Sequence, residues 1–195
     1  VQRERGLYGG IVVEDNNDPV MDGDRTFLMD DMKLTATNEF KRGNALERWK
    51  ERHDGREGNT LLINGKEQPL ISIAGEQTER WRFINAASAR YVVLTLGGQP
   101  FQIMATDGGL LEKPQTVTEL LITPGERYDI IAGPFKGGES FDIETLSYNR
   151  TTFVKSKRRV LATVQVTSAK PSVAFLPETL RTIEALAPQD TKATR

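Results

Sequence analysis

Short apolar or alternating runs follow one another along this chain, at 10–13, 26–29, 60–63, 70–73, 81–84, 91–96, 101–104, 117–122, 128–131, 140–143 and 160–166. Turn signals separate them: Asn64-Gly65, Gly97-Gly98, Asp107-Gly108-Gly109, Pro124-Gly125 and Gly137-Gly138. No run is long enough for a core helix, and each can satisfy its backbone groups only by pairing with another run. That recurrence restricts the chain to an all-β sandwich or barrel with Greek-key connections.

Composition removes several function classes. Lys and Arg number 26 against 27 Asp and Glu, a net charge of −1. The overall balance therefore recruits no nucleic acid, acidic membrane or strongly charged partner. No run approaches the roughly 18 consecutive apolar residues of a membrane-spanning helix. Cysteine is absent, which excludes disulfides, thiolate catalysis and every cysteine metal site.

Two regions depart from the β pattern. Residues 41–58, KRGNALERWKERHDGREG, place Leu46, Trp49 and His53 at helical spacing inside a charged stretch. Its basic residues are interleaved with Glu47, Glu51, Asp54 and Glu57, so the expectation is a solvated loop with a helical turn, its charges cancelling. From Pro171 onward, Leu180, Ile183 and Leu186 between Pro177 and Pro188 read as a linker with one docked helical turn.

The stretch 63–132 contains, in order, Asn64-Gly65, Arg80-Trp81-Arg82-Phe83-Ile84-Asn85, Ala105-Thr106-Asp107-Gly108 and Pro124-Gly125-Glu126-Arg127-Tyr128-Asp129. This succession resembles the middle, cupredoxin-type domain of three-domain multicopper oxidases, the laccase and bacterial copper-oxidase group. The resemblance implies a Greek-key β-sandwich of cupredoxin type without copper ligands, spanning 15–170. Residues 1–14, with Gly6-Leu7-Tyr8-Gly9, would be the final strand of a preceding cupredoxin domain. There Gln2 would follow closely on a cluster-binding His-x-His pair, and 171–195 would lead toward a third domain. The partners implied are those flanking domains one and three, with self-association through 6–14 as the fate of an orphaned strand. The intact relative would carry copper and work in the periplasm or outside the cell. The alternative is a stand-alone β-sandwich binding or adhesion module derived from such a domain.

The donor inventory sets what this stretch can do. A blue copper site takes two His and one Cys thiolate, commonly with a weak axial Met. This chain offers His53 and no Cys, so the expected fragment has no cofactor and no metal or catalytic residue. Met21, Met29, Met32 and Met104 are dispersed and read as core filling. No Gly-x-Ser-x-Gly elbow accompanies His53. Asp30 and Asp31, adjacent on a strand, point to opposite faces. Asp22-Gly23-Asp24 lacks the downstream bidentate Glu of a calcium loop, and Asn149-Arg150-Thr151 is a three-residue glycosylation pattern common by chance.

Two stretches are candidate sites. By resemblance, the loop after the Arg-x-Arg strand, comprising Asn85, Ala86, Ala87, Ser88, Ala89 and Arg90, forms the rim of a substrate pocket completed by another domain. Ala89 stands near where some relatives carry an acidic substrate anchor. Pro124, Gly125 and Tyr128 have the spacing of a tyrosine corner, a turn between sheets in which the Tyr hydroxyl bonds back to upstream backbone.

Overall fold

The structure is a computed structural model that describes residues 2, 5–150 and 154–184. Among the described residues, eleven strands form two sheets packed face to face. The first sheet takes β1 (Gly23–Met32), β2 (Thr60–Ile63), β4 (Glu79–Asn85), β6 (Phe101–Thr106), β7 (Gly109–Val117) and β9 (Arg127–Ala132), in the order β2-β1-β4-β9-β6-β7. The second takes β3 (Leu70–Gly75), β5 (Val92–Leu96), β8 (Leu120–Ile122), β10 (Ser140–Thr145) and β11 (Arg159–Ala169), in the order β3-β11-β10-β5-β8. Most neighbours are antiparallel, but β1 pairs β4 in parallel and β11 pairs β3 in parallel. Those two pairs need the crossover connections that a Greek key supplies.

Alternation along each strand puts one set of side chains between the sheets. On β4 these are Trp81, Phe83 and Asn85; on β1 they include Phe27 and Met29. Phe27 stacks on Phe83 with centroids 5.0 Å apart and meets Trp81 edge-on at 5.3 Å. Phe135 and Phe141 extend the aromatic seam at 4.7 Å. The buried Trp81 indole donates to Glu79 Oε2 at 2.8 Å, and Glu79 also accepts both Nε and Nη2 of Arg25. Its polar edge is thereby satisfied.

On the outer face of the first sheet a smaller cluster gathers Met104, Ala105, Ile131 and Leu180. Leu180 comes from the tail, which crosses this face and is tied at Asp22. That carboxylate accepts the N–H groups of Val173 (2.6 Å), Ala174 (3.1 Å) and Thr78 (2.8 Å) and the Ser172 hydroxyl (2.6 Å). Burial acts to raise the Asp22 pKa, but the Ser172 hydroxyl and the three N–H groups outweigh it and hold the carboxyl below its ordinary range. A depressed carboxyl contributes stability above its unfolded pKa and loses it as pH falls through the folded value. The tail should therefore loosen below about pH 4. Hydrogen exchange at Val173 and Ala174, corrected for the intrinsic pH effect, should rise there, and Asp22→Asn should give the same rise at pH 7.

Four sequence expectations change. Residues 10–13 are not a strand: Ile11 is 91% exposed and Val13 85%, because nothing among the described residues pairs with them. Residues 41–58 hold a full helix, α1 (Ala45–Asp54), started by a reciprocal capping box between Asn44 and Glu47. The tail docks through Leu180 in extended form, not as a helical turn; Leu186 lies outside the described residues. The run 117–122 divides at Thr118 and Glu119, ending β7 and starting β8 in the other sheet. Pro114 is tolerated in β7 because that strand is the sheet edge.

Candidate functional site

Asn85, the last residue of β4, joins the two stretches singled out in the sequence. Strand alternation turns its side chain inward, where it is fully buried. Nδ2 donates to the carbonyls of Arg90 and Ile122, both at 2.9 Å, and Oδ1 accepts the N–H of Ala87 at 3.1 Å. Its backbone carbonyl accepts the N–H of Gly125 at 2.8 Å, and its N–H donates to the Glu126 carbonyl at 3.1 Å. One residue thus closes the 85–90 loop and fastens it to the 123–127 turn.

That loop is more covered than a pocket rim requires. Ala87, Ala89 and Arg90 are buried, and solvent reaches the loop at Ala86 and Ser88. The segment following α1 lies across it, so close that a β-carbon on Gly55 would sit 2.4 Å from that of Ala89. Arg90 anchors the loop's far end. Its Nε donates to Asp31 Oδ2 at 2.7 Å, its Nη2 to the Gly58 carbonyl at 2.6 Å, and its Nη1 stands 3.3 Å from Glu57. Asp31 is fully buried and also accepts the Gly58 N–H at 2.5 Å. Arg150 extends the network, donating to the carbonyls of Ala89 and Asp54.

Tyrosines complete the network on two sides. Tyr148 donates to Glu57 at 2.9 Å and accepts the Tyr91 N–H at 3.2 Å. Burial and the Glu57 charge push the Tyr148 hydroxyl pKa well up. On the opposite face of β1, Tyr8 donates to Asp30. Burial raises the Asp30 pKa, with the Tyr8 hydroxyl working against it. Asp30 and Asp31 accordingly face different partners, and no single substrate touches both.

The 123–127 turn has its Pro-Gly corner, with Gly125 at φ +91°, where a side chain would be strained. What holds it differs from the tyrosine-corner pattern. Glu126 accepts the Thr123 N–H at 2.6 Å, and Asp107 accepts both the N–H and the guanidinium of Arg127, at 2.8 and 2.7 Å. The Tyr128 hydroxyl has no hydrogen-bond partner among the described residues, and its ring packs against the main core. Two carboxylates do the anchoring, a role that the Glu126 and Asp107 positions within the family-like motifs could have signalled.

The Arg-x-Arg pair lies on the outer face of β4. Arg82 binds Asp24 through Nε and Nη2, at 2.9 and 2.7 Å, and Asp129 at 2.8 Å; the buried Arg80 binds Asp18 at 2.8 Å. Burial raises the Asp129 pKa, while Arg82 and Arg80 oppose the rise. A cavity of about 290 Å³ opens beside these arginines, lined also by Glu14, Asp15 and Met21. Asp18 and Asp24 pair with these arginines, which ties that segment to the sheet.

No group of three or more His, Cys, Asp or Glu among the described residues could hold a metal. His53, the one histidine, sits exposed on α1, stacked on Trp49 at 5.9 Å with Nδ1 3.0 Å from Asp54. The residues present do not fit a copper centre of the blue type, which needs a thiolate and two imidazoles.

The multicopper oxidase family profile matches residues 25–168. Over 129 residues the chain is 34% identical to cell division protein FtsP of Photorhabdus laumondii, covering 66% of this chain and 25% of that protein. Over 139 residues it is 30% identical to multicopper oxidase mco of Staphylococcus aureus, covering 65% of this chain and 28% of that protein. The solved multicopper oxidase of Campylobacter jejuni, described as a metallo-oxidase, superposes with a TM-score of 0.71 at 28% identity over 85% of this chain and 34% of that one. The chain spans about a quarter of the length of these curated relatives. With its cupredoxin-like sandwich and a profile match over most of its length, the chain belongs to the multicopper oxidase family.

Proposed function

We propose that this chain is a metal-free scaffold domain of a longer multicopper oxidase. In the proposed division, 15–170 is the middle domain, 1–14 the last strand of domain one and 171–195 the approach to domain three. The observation that carries the reading is the contrast between a family sandwich and a donor set of one exposed imidazole and no thiol. The copper of such an enzyme would reside in the flanking domains, where a reducing substrate gives up electrons and dioxygen is reduced to water. This domain would hold the two in register and export with them to the periplasm or beyond the cell.

The exposed apolar run 10–13 supports the division, since a strand without a partner here would find one in domain one, or in a second copy when the chain is alone. Ala86 and Ser88, as the solvent-reached residues of the 85–90 loop, are the positions that would face the substrate. The FtsP relatives favour a second reading, in which the longer protein uses this fold for binding in cell division without oxidase chemistry. Dioxygen uptake by the copper-loaded longer protein, given a phenol or cuprous ions, separates the two. Turnover that stops on copper removal supports the oxidase reading, and no uptake with either donor supports the binding one.

A further inference from the structure

α1 does not fill a core. None of its residues is buried, Leu46 is 62% exposed and Trp49 56%. A ten-residue helix is too short to be stable alone in water, so contacts to the body must hold it. Those contacts use two of the helix's acids and one backbone carbonyl. Glu51 and Glu47 reach Lys33 at 2.6 and 3.6 Å, Glu47 also closes the capping box, and the Asp54 carbonyl accepts from Arg150.

The charges that look interleaved in sequence are therefore sorted in space. Glu47, Glu51 and Asp54 recur at helical spacing and are half-buried, whereas Leu46, Arg48, Trp49 and Arg52 are exposed, as is Arg42 just before the helix. The surface turned away from Lys33 combines these apolar anchors with Arg42, Arg48 and Arg52, while the partly exposed Glu47 carboxylate is paired with Lys33. Glu39, on the loop before the helix, is the nearest exposed carboxylate upstream in sequence.

We propose that this face of α1 docks on an anionic phospholipid surface, with Leu46 and Trp49 entering the headgroup region and Arg42, Arg48 and Arg52 meeting the phosphates. Charge complementarity commits the surface to an anionic occupant. Lipid fits better than a protein because the exposed arginines of this face share one sign, and headgroups require sign without a matching shape. Leucine and tryptophan beside arginine is the composition of helices that lie in the interface plane. The helix is already formed and fastened, so docking carries no cost of folding it. At roughly 15 Å it is too short to span, and no described helix is long and apolar enough to cross a membrane. The inference is independent of the scaffold reading.

The chain contains a built-in reporter, because its other tryptophan, Trp81, is fully buried. Phosphatidylglycerol vesicles should shift the Trp49 emission to the blue, phosphatidylcholine vesicles should not, and salt at about 0.5 M should reverse the shift. In vesicle sedimentation, Arg42→Glu with Arg52→Glu should lower partitioning about tenfold or more. Leu46→Ser with Trp49→Ser should do the same. Both double variants should keep the parent melting temperature, since they alter exposed residues. The proposal is overturned by no shift on phosphatidylglycerol, by equal binding to both lipids, or by well-folded double variants that partition normally. Binding to acidic proteins in place of vesicles would overturn it as well.

Discussion

Arg90→Ala should destabilise the chain by about 3–5 kcal/mol, the usual consequence of removing one partner from a buried ion pair. Asp31 has no solvent exposure, and its remaining bond at Oδ2 is from the Gly58 N–H. Losing the Arg90 side chain also removes the donor to the Gly58 carbonyl, while the Asn85 bond to the carbonyl of residue 90 remains. Against a typical total of roughly 5–15 kcal/mol, much of the fold's margin would go. Urea unfolding should show the midpoint falling with little change in slope. The double variant Arg90→Met with Asp31→Leu should recover part of the loss, because it removes both charges together. A single variant with an unchanged midpoint would mean that the pair is relaxed by solvent.

Asn85→Ala should cost about 2–4 kcal/mol, since it leaves the carbonyls of Arg90 and Ile122 buried without a donor. Asn85→Asp is the sharper test. It preserves volume and the acceptor for the Ala87 N–H but supplies no donor to either carbonyl. If hydrogen bonding is what matters, Asp should be no better tolerated than Ala. Hydrogen exchange should locate the damage at both 85–90 and 123–127, because Asn85 fastens one to the other.

Elements whose stability is local and periodic were legible in the sequence. The Asn64-Gly65 turn and the strands on either side of it stand where pattern and turn chemistry place them. What escaped depended on partners distant in sequence. Residues 10–13 have the pattern of a strand and no neighbour to pair with among the described residues, which alternation cannot report. Glu47 and Glu51 of α1 look like cancelling charges until helical geometry sends them toward Lys33, and the capping box of Asn44 and Glu47 was the local signal for that helix. Asp31 reads as one of two adjacent acids; its importance comes from Arg90, which a separate loop brings to 2.7 Å. The 85–90 and 123–127 stretches were each recognisable from family-like motifs, but their union through Asn85 was not, because hydrogen bonds across a sandwich leave no spacing in the chain.

If the chain contributes structure and no metal chemistry of its own, copper should not stay on it, and elemental analysis of the purified chain after incubation with excess copper and exhaustive dialysis measures this. With no thiol and one exposed imidazole, the bound copper should fall far below one per chain, and the visible spectrum should lack a blue thiolate band. About one copper retained per chain would mean that the chain holds a metal site of its own.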